Sequence, residues 1–171
     1  MAVLEILHYP NPLLKEKTKP VQKVDGSIRR LVQDMAETMY SAPGVGLAAN
    51  QVGHSLRLAV IDVTPADQPK NLIVLINPEI VAADGERTWD EGCLSVPDCS
   101  EEVKRSETVV VRCQNLEGET VEIAGEDLLS VALQHEIDHL DGVLFIDRLS
   151  PLKRRLIKKK LQKKEKEEKK A

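Results

Sequence analysis

From Asp25 onward the apolar residues Ile28, Leu31, Val32, Met35 and Met39 recur every three or four positions, and Pro43-Gly44 closes the segment. This is one stripe of an amphipathic helix, predicted over 26–41. The period then changes. Short β-branched and aliphatic runs at 57–63, 72–77, 85–90, 108–113 and 120–124 are separated by Gly, Pro, Asn and Asp, the pattern of a mostly antiparallel sheet. Glu126 and Asp127 open a run of good helix formers that stops at Gly142, which predicts a second helix over 126–140. Ser150-Pro151 offers an N-cap and a first-turn proline to a third helix. Its apolar face would be Leu152, Leu156, Ile157 and Leu161, with fraying into a Lys/Glu tail beyond. In the first twenty residues Pro10, Pro12 and Pro20 fix φ and restrain their neighbours, so little helix is expected. The fold class is therefore α+β: mainly antiparallel sheet packed around the second helix, with an N-terminal and a C-terminal helix.

The chain has 171 residues, the size of one ordinary domain with some tail. The expected division is a body of 1–152 and a basic helix and charged tail of 153–171. The net charge of −4 conceals their asymmetry: 11 Lys/Arg and three Glu lie in 153–171, leaving 13 basic against 25 acidic residues in the body. Such a body repels nucleic acid, whereas the tail attracts it without sequence preference. With only Tyr9, Tyr40, Trp89 and Phe145 as aromatics, a stacking platform for single strands is excluded. No run of 18 apolar residues exists, and Glu5 interrupts the first hydrophobic stretch, so neither membrane spanning nor secretion is expected. Three cysteines, Cys93, Cys99 and Cys113, cannot all pair within one chain, which fits a reducing cytoplasm.

The chemistry concentrates in the second helix, at Gln134-His135-Glu136-Ile137-Asp138-His139. Histidines four apart share a helix face and can each place a nitrogen ~2.0–2.1 Å from one divalent metal. Glu136, turned about 100° from His135, suits the handling of a proton on an activated water, as in zinc-dependent hydrolases. No histidine follows His139, and Glu165, Glu167 and Glu168 lie in the tail, so the third ligand should lie upstream. His8, His54 and the three cysteines remain open as candidates. Leu128 and Val131, seven and four residues before His135, fall on its helix face as an apolar wall for an unbranched side chain. On these residues alone, an HExxH zinc endopeptidase and a non-enzymatic metal-stabilised module carried to ribosomes by its basic tail are alternatives to any more specific activity.

Three segments together carry a resemblance: Gly44-Val45-Gly46-Leu47-Ala48-Ala49-Asn50-Gln51, Glu91-Gly92-Cys93-Leu94-Ser95, and Gln134 to His139. In order and approximate spacing they resemble the three motifs of the peptide deformylases, of the bacterial type 1 form, over about 7–156. The resemblance implies a cytoplasmic hydrolase of N-terminal processing in protein biosynthesis, which removes the formyl group of N-formylmethionyl peptides as formate. It implies that Cys93, His135 and His139 hold the metal and that Glu136 is the general acid/base. Gln51 and the backbone N–H of Leu94 would stabilise the oxyanion, and Val45, Gly46, Glu91 and Gly92 would border the peptide. The donor set accepts Zn2+, Ni2+ or Co2+; the resemblance implies Fe2+, and also that some relatives dock on the ribosome through the C-terminal helix. Many relatives carry an arginine where Ser100 stands, so a charged contact to the outer part of the peptide is not implied here.

Overall fold

Asp25 begins the first helix by accepting a hydrogen bond from the backbone N–H of Ile28 at 3.1 Å, so α1 runs Gly26–Ser41. In the computed structural model, which describes residues 2–170, the last three through their backbone alone, seven strands follow the expected α+β class. They are β1 (Gly46–Ala48), β2 (Leu58–Ile61), β3 (Ile73–Asp84), β4 (Arg87–Cys93), β5 (Val96–Arg105), β6 (Thr108–Gln114) and β7 (Thr120–Glu126). The second and third helices are α2 (Asp127–Leu140) and α3 (Pro151–Lys170).

A five-stranded antiparallel sheet has the order β1-β2-β3-β6-β7, and β4-β5 pair separately as a two-stranded sheet. Strand alternation divides the larger sheet between two helices. Leu58, Val60 and Ile76 pack with Val32, Met35 and Met39 of α1, while Ala59, Ile61 and Leu75 pack with Leu133, Ile137 and Leu140 of α2. Because β2 is covered on both faces, all four of its residues are buried, which is why it reads as an unbroken apolar run.

Three expectations change. The pattern predicts neither β1 nor β5: β1 is only three residues long, and between Val96 and Val103 β5 is Pro97, Asp98, Cys99, Ser100, Glu101 and Glu102, with too few apolar residues to show a period. β3 runs to Asp84 rather than 77, because Asn77-Pro78 makes an irregularity inside the strand instead of ending it. Asn77 holds φ 52° there, its side chain bonded to both backbone groups of Val21 and to Gln114. The third correction concerns α3. Only Ile157 and Leu161 pack, against a cluster containing Val96, Val103 and Phe145, whereas Leu152 and Leu156 are 64% and 59% exposed. The helix also continues to Lys170 instead of fraying after Leu161, since Lys, Gln and Glu are good helix formers. No helix among the described residues is long and apolar enough to cross a membrane.

Leu161→Ala should lower stability in urea unfolding by about 2 kcal/mol, while Leu156→Ala should stay within about 0.5 kcal/mol. Equal losses would place both leucines in the core.

Candidate metal centre and substrate cleft

α2 presents His135 and His139 one turn apart, their Nε2 atoms separated by 3.1 Å. Cys93 ends β4, and its Sγ lies 3.2 Å from His139 Nε2. The three donor atoms lie within 4.8 Å of one another. Tetrahedral coordination at ~2.0–2.3 Å puts neighbouring ligand atoms roughly 3.3–3.7 Å apart, so this triangle fits a small divalent ion. His135 Nδ1 faces Glu91 Oε1 at 2.9 Å, which assigns the ring proton to Nδ1 and leaves Nε2 as a lone-pair donor. Burial opposes charge on both histidines. At His135, contact with the Cys93 sulfur and Glu91 outweighs it and the pKa rises; at His139, burial prevails, aided by His135 and Arg105, and the pKa falls.

Of the five upstream candidates for third ligand, Cys93 is the one in the triangle. His8 and His54 are exposed, Cys113 sits in the core under the larger sheet, and Cys99 lines the adjacent cleft. That cleft, about 570 Å3, is bordered by Val45, Gly46, Gln51, Gly92, Leu94, Leu128, Val131 and Glu136, and by Trp89. Leu128 and Val131 form a wall as the helix spacing predicts. Glu91 also lines this cleft, and its carboxylate is occupied by His135 and by two nitrogens of Arg105, at 2.7 and 2.8 Å.

Glu136 is buried beside the donors, and its Oε1 finds no hydrogen-bond partner among the described residues. Burial lifts its carboxyl to about 7; Glu91 and Asp138 add to the rise, and His135 and Arg105 oppose it. A group near 7 exchanges protons readily in either direction. Gly46 makes this placement possible, since a Cβ there would lie 2.4 Å from Glu136 Oε2. Gln51 is equally fixed. Its Oε1 accepts from Ala48 N at 2.9 Å, which turns Nε2 toward Ser95 Oγ (3.0 Å) and Cys93 Sγ (3.6 Å).

With this geometry in place, comparison with known proteins gives one answer: the polypeptide deformylase family matches residues 3–155. The chain belongs to the polypeptide deformylase family. It is 56% identical over 167 residues to the peptide deformylase of Syntrophobacter fumaroxidans, covering 98% of each chain. A peptide deformylase of Acidobacterium capsulatum is 53% identical over 95% of this chain and 96% of its own. Among solved structures, the Legionella pneumophila peptide deformylase superposes with a TM-score of 0.91 at 47% identity and 99% coverage of both chains. The Ehrlichia chaffeensis peptide deformylase in complex with actinonin gives 0.91 at 39% identity, covering 96% and 99%. Deformylases are metal-dependent hydrolases that remove N-formyl groups from nascent peptides, which separates this chain from the endopeptidases that share HExxH.

Sequence reasoning missed Ser95, Arg105 and Asp138 around the deformylase centre. Asp138 lay in view inside the HExxH segment, but nothing in the sequence pointed to Arg105. Gly46→Ala should push the Glu136 carboxylate aside and lower formate release roughly 100-fold, with melting temperature and bound metal unchanged. A normal rate would show that the close approach of Gly46 to Glu136 is not needed.

Proposed function

We propose that Cys93, His135 and His139 hold one divalent metal, Fe2+ in the cell, and that Glu136, Gln51 and the backbone N–H of Leu94 act around it to deformylate N-formylmethionyl peptides. The observation carrying this reading is the convergence of three donors, a buried carboxyl and a clamped amide in one cleft. Bound there, the metal supplies a Lewis acid that polarises the formyl carbonyl and acidifies water. Glu136 takes the proton of the attacking water and delivers it to the departing amine nitrogen, leaving formate and a free N-terminus. Gln51 Nε2 and Leu94 N–H donate to the oxygen on which negative charge develops, and a neutral amide does so without protonating the nucleophile.

The peptide enters as an added strand. β1 is an edge of the larger sheet, so the backbone of Val45 and Gly46 borders the cleft beside an unpaired edge, and Gly92 and Leu94 border the same cleft. The Met side chain lies against Leu128 and Val131. The reaction takes place in the cytoplasm, where formylated chains are made. The decisive assay compares formate release from formyl-Met-Ala-Ser with cleavage of an internal peptide bond, in wild type and Glu136→Gln. We expect formate release alone, lowered about 10²–10⁴-fold in Glu136→Gln with metal retained. Near-normal turnover in the variant would remove Glu136 from its role.

The ribosome is the proposed partner of α3. Arg154, Arg155, Lys158 and Lys159 share one surface of the helix, a positive field beside an acidic body. Lys160 and Lys164 instead reach Asp98 of β5. Replacing Arg155, Lys158, Lys159 and Lys163 with glutamine therefore leaves the helix docked. It should reduce co-sedimentation with ribosomes at low salt while turnover of a short formyl peptide persists; undiminished binding would end the proposal.

A further inference from the structure

The metal donors come from two bodies with no shared strand ladder: Cys93 from the β4–β5 hairpin, His135 and His139 from α2. Something must fix one against the other. Arg105, on β5, has a side chain only 2% exposed and spans the gap with its whole guanidinium. Nε and Nη2 donate to the two oxygens of Glu91 on β4, at 2.7 and 2.8 Å, and Nη1 donates to Asp138 Oδ2 on α2 at 2.6 Å. Glu91 in turn receives His135 Nδ1 at 2.9 Å. Asp138 also accepts from Arg148, from Nε to the same Oδ2 at 2.5 Å and from Nη2 to Oδ1 at 2.7 Å. Beside Arg105, Ser106 is clamped to Gln134 of α2 through both backbone groups, at 3.0 and 2.9 Å.

We propose that Arg105 is a positioning residue of the metal centre, one that sets the orientation of the His135 ring by holding Glu91 against it and locks the hairpin carrying Cys93 to α2 through Asp138. Two arginines and two carboxylates balance in charge, yet a buried ion network is often no more stabilising than apolar packing of the same volume. What it adds is direction. A planar fork fixes both oxygens of Glu91 in one plane, and lysine, a point charge, cannot hold Glu91 by two bonds and Asp138 by a third.

The role rests on Cys93, His135 and His139 being the ligands, and the test separates the two ideas. Wild-type, Arg105→Lys, Glu91→Gln and the double variant are each titrated with Co2+ against a chromophoric chelator, and the visible d–d absorption of each complex is recorded. Arg105→Lys should bind Co2+ about 10–100-fold more weakly, with displaced d–d bands. In the Glu91→Gln background the same substitution should cost clearly less than in wild type, because the path to His135 is already cut and only the lock through Asp138 is left to lose. A role confined to folding would lower the melting temperature while affinity and bands stayed those of wild type; that result, or equal losses in both backgrounds, would overturn the inference. Should Arg105→Lys fail to fold, Asp138→Asn serves instead, with weaker affinity supporting the role and unchanged affinity and bands refuting it. Failure of the wild-type protein to take up Co2+ would overturn the ligand assignment itself.

Discussion

Donor atoms on a helix and on a separate hairpin must meet within 4.8 Å, and much of the architecture follows from that demand. α2 cannot be an ordinary surface helix if one face is to carry ligands into a water-poor centre. Its side toward the larger sheet is apolar, with Leu133, Ile137 and Leu140 against Ala59, Ile61 and Leu75. Its other side bears polar residues that are buried nonetheless: Gln134, His135, Glu136, Asp138 and His139. Burying so many polar groups is tolerable only when they are partnered. The hairpin supplies partners for Gln134, His135 and Asp138 through Ser106, Glu91 and Arg105, so the contacts that satisfy those three side chains also tie Cys93 to the two histidines.

The cleft shows how small residues govern placement. Gly46 lets the Glu136 carboxylate lie against β1, and at Gly44 a Cβ would come within 2.9 Å of Leu94 Cδ1. These glycines have ordinary backbone angles; space rather than conformation excludes larger residues. Further out, the buried carboxylate of Asp62 ties the loop after β2 to α1. Burial raises its pKa, but hydrogen bonds from Thr64, Tyr40 and the backbone of Thr64 and Asn71 outweigh that and pull it to about 2. The backbone N–H of Asp62 also reaches Val45 O at 2.9 Å, so this anchor extends to the mouth of the cleft.

The sequence was most legible where physics is local. Asp25 as a cap, the stripe from Ile28 to Met39 and the two-histidine turn depend on neighbours within a few residues, and their elements lie where the pattern puts them. β5 was illegible because its value to the fold comes from pairing with β4 and from Arg105, not from its own composition. Half of the stripe assigned to α3 held: Ile157 and Leu161 dock the helix as expected, whereas Leu152 and Leu156 find nothing to pack against. The choice of Cys93 among five possible third ligands likewise needed tertiary structure or family resemblance, since spacing alone left them equal.

An unpaired sheet edge is a hazard as well as an opportunity, because it offers the same hydrogen-bonding groups to any extended chain. β1 limits that hazard by being three residues long and by bordering a cleft rather than an open face. A neighbouring protein would need a free, flexible terminus to reach it. Sheet-to-sheet association through this edge is thereby disfavoured, and selectivity against folded proteins begins with the shortness of a strand.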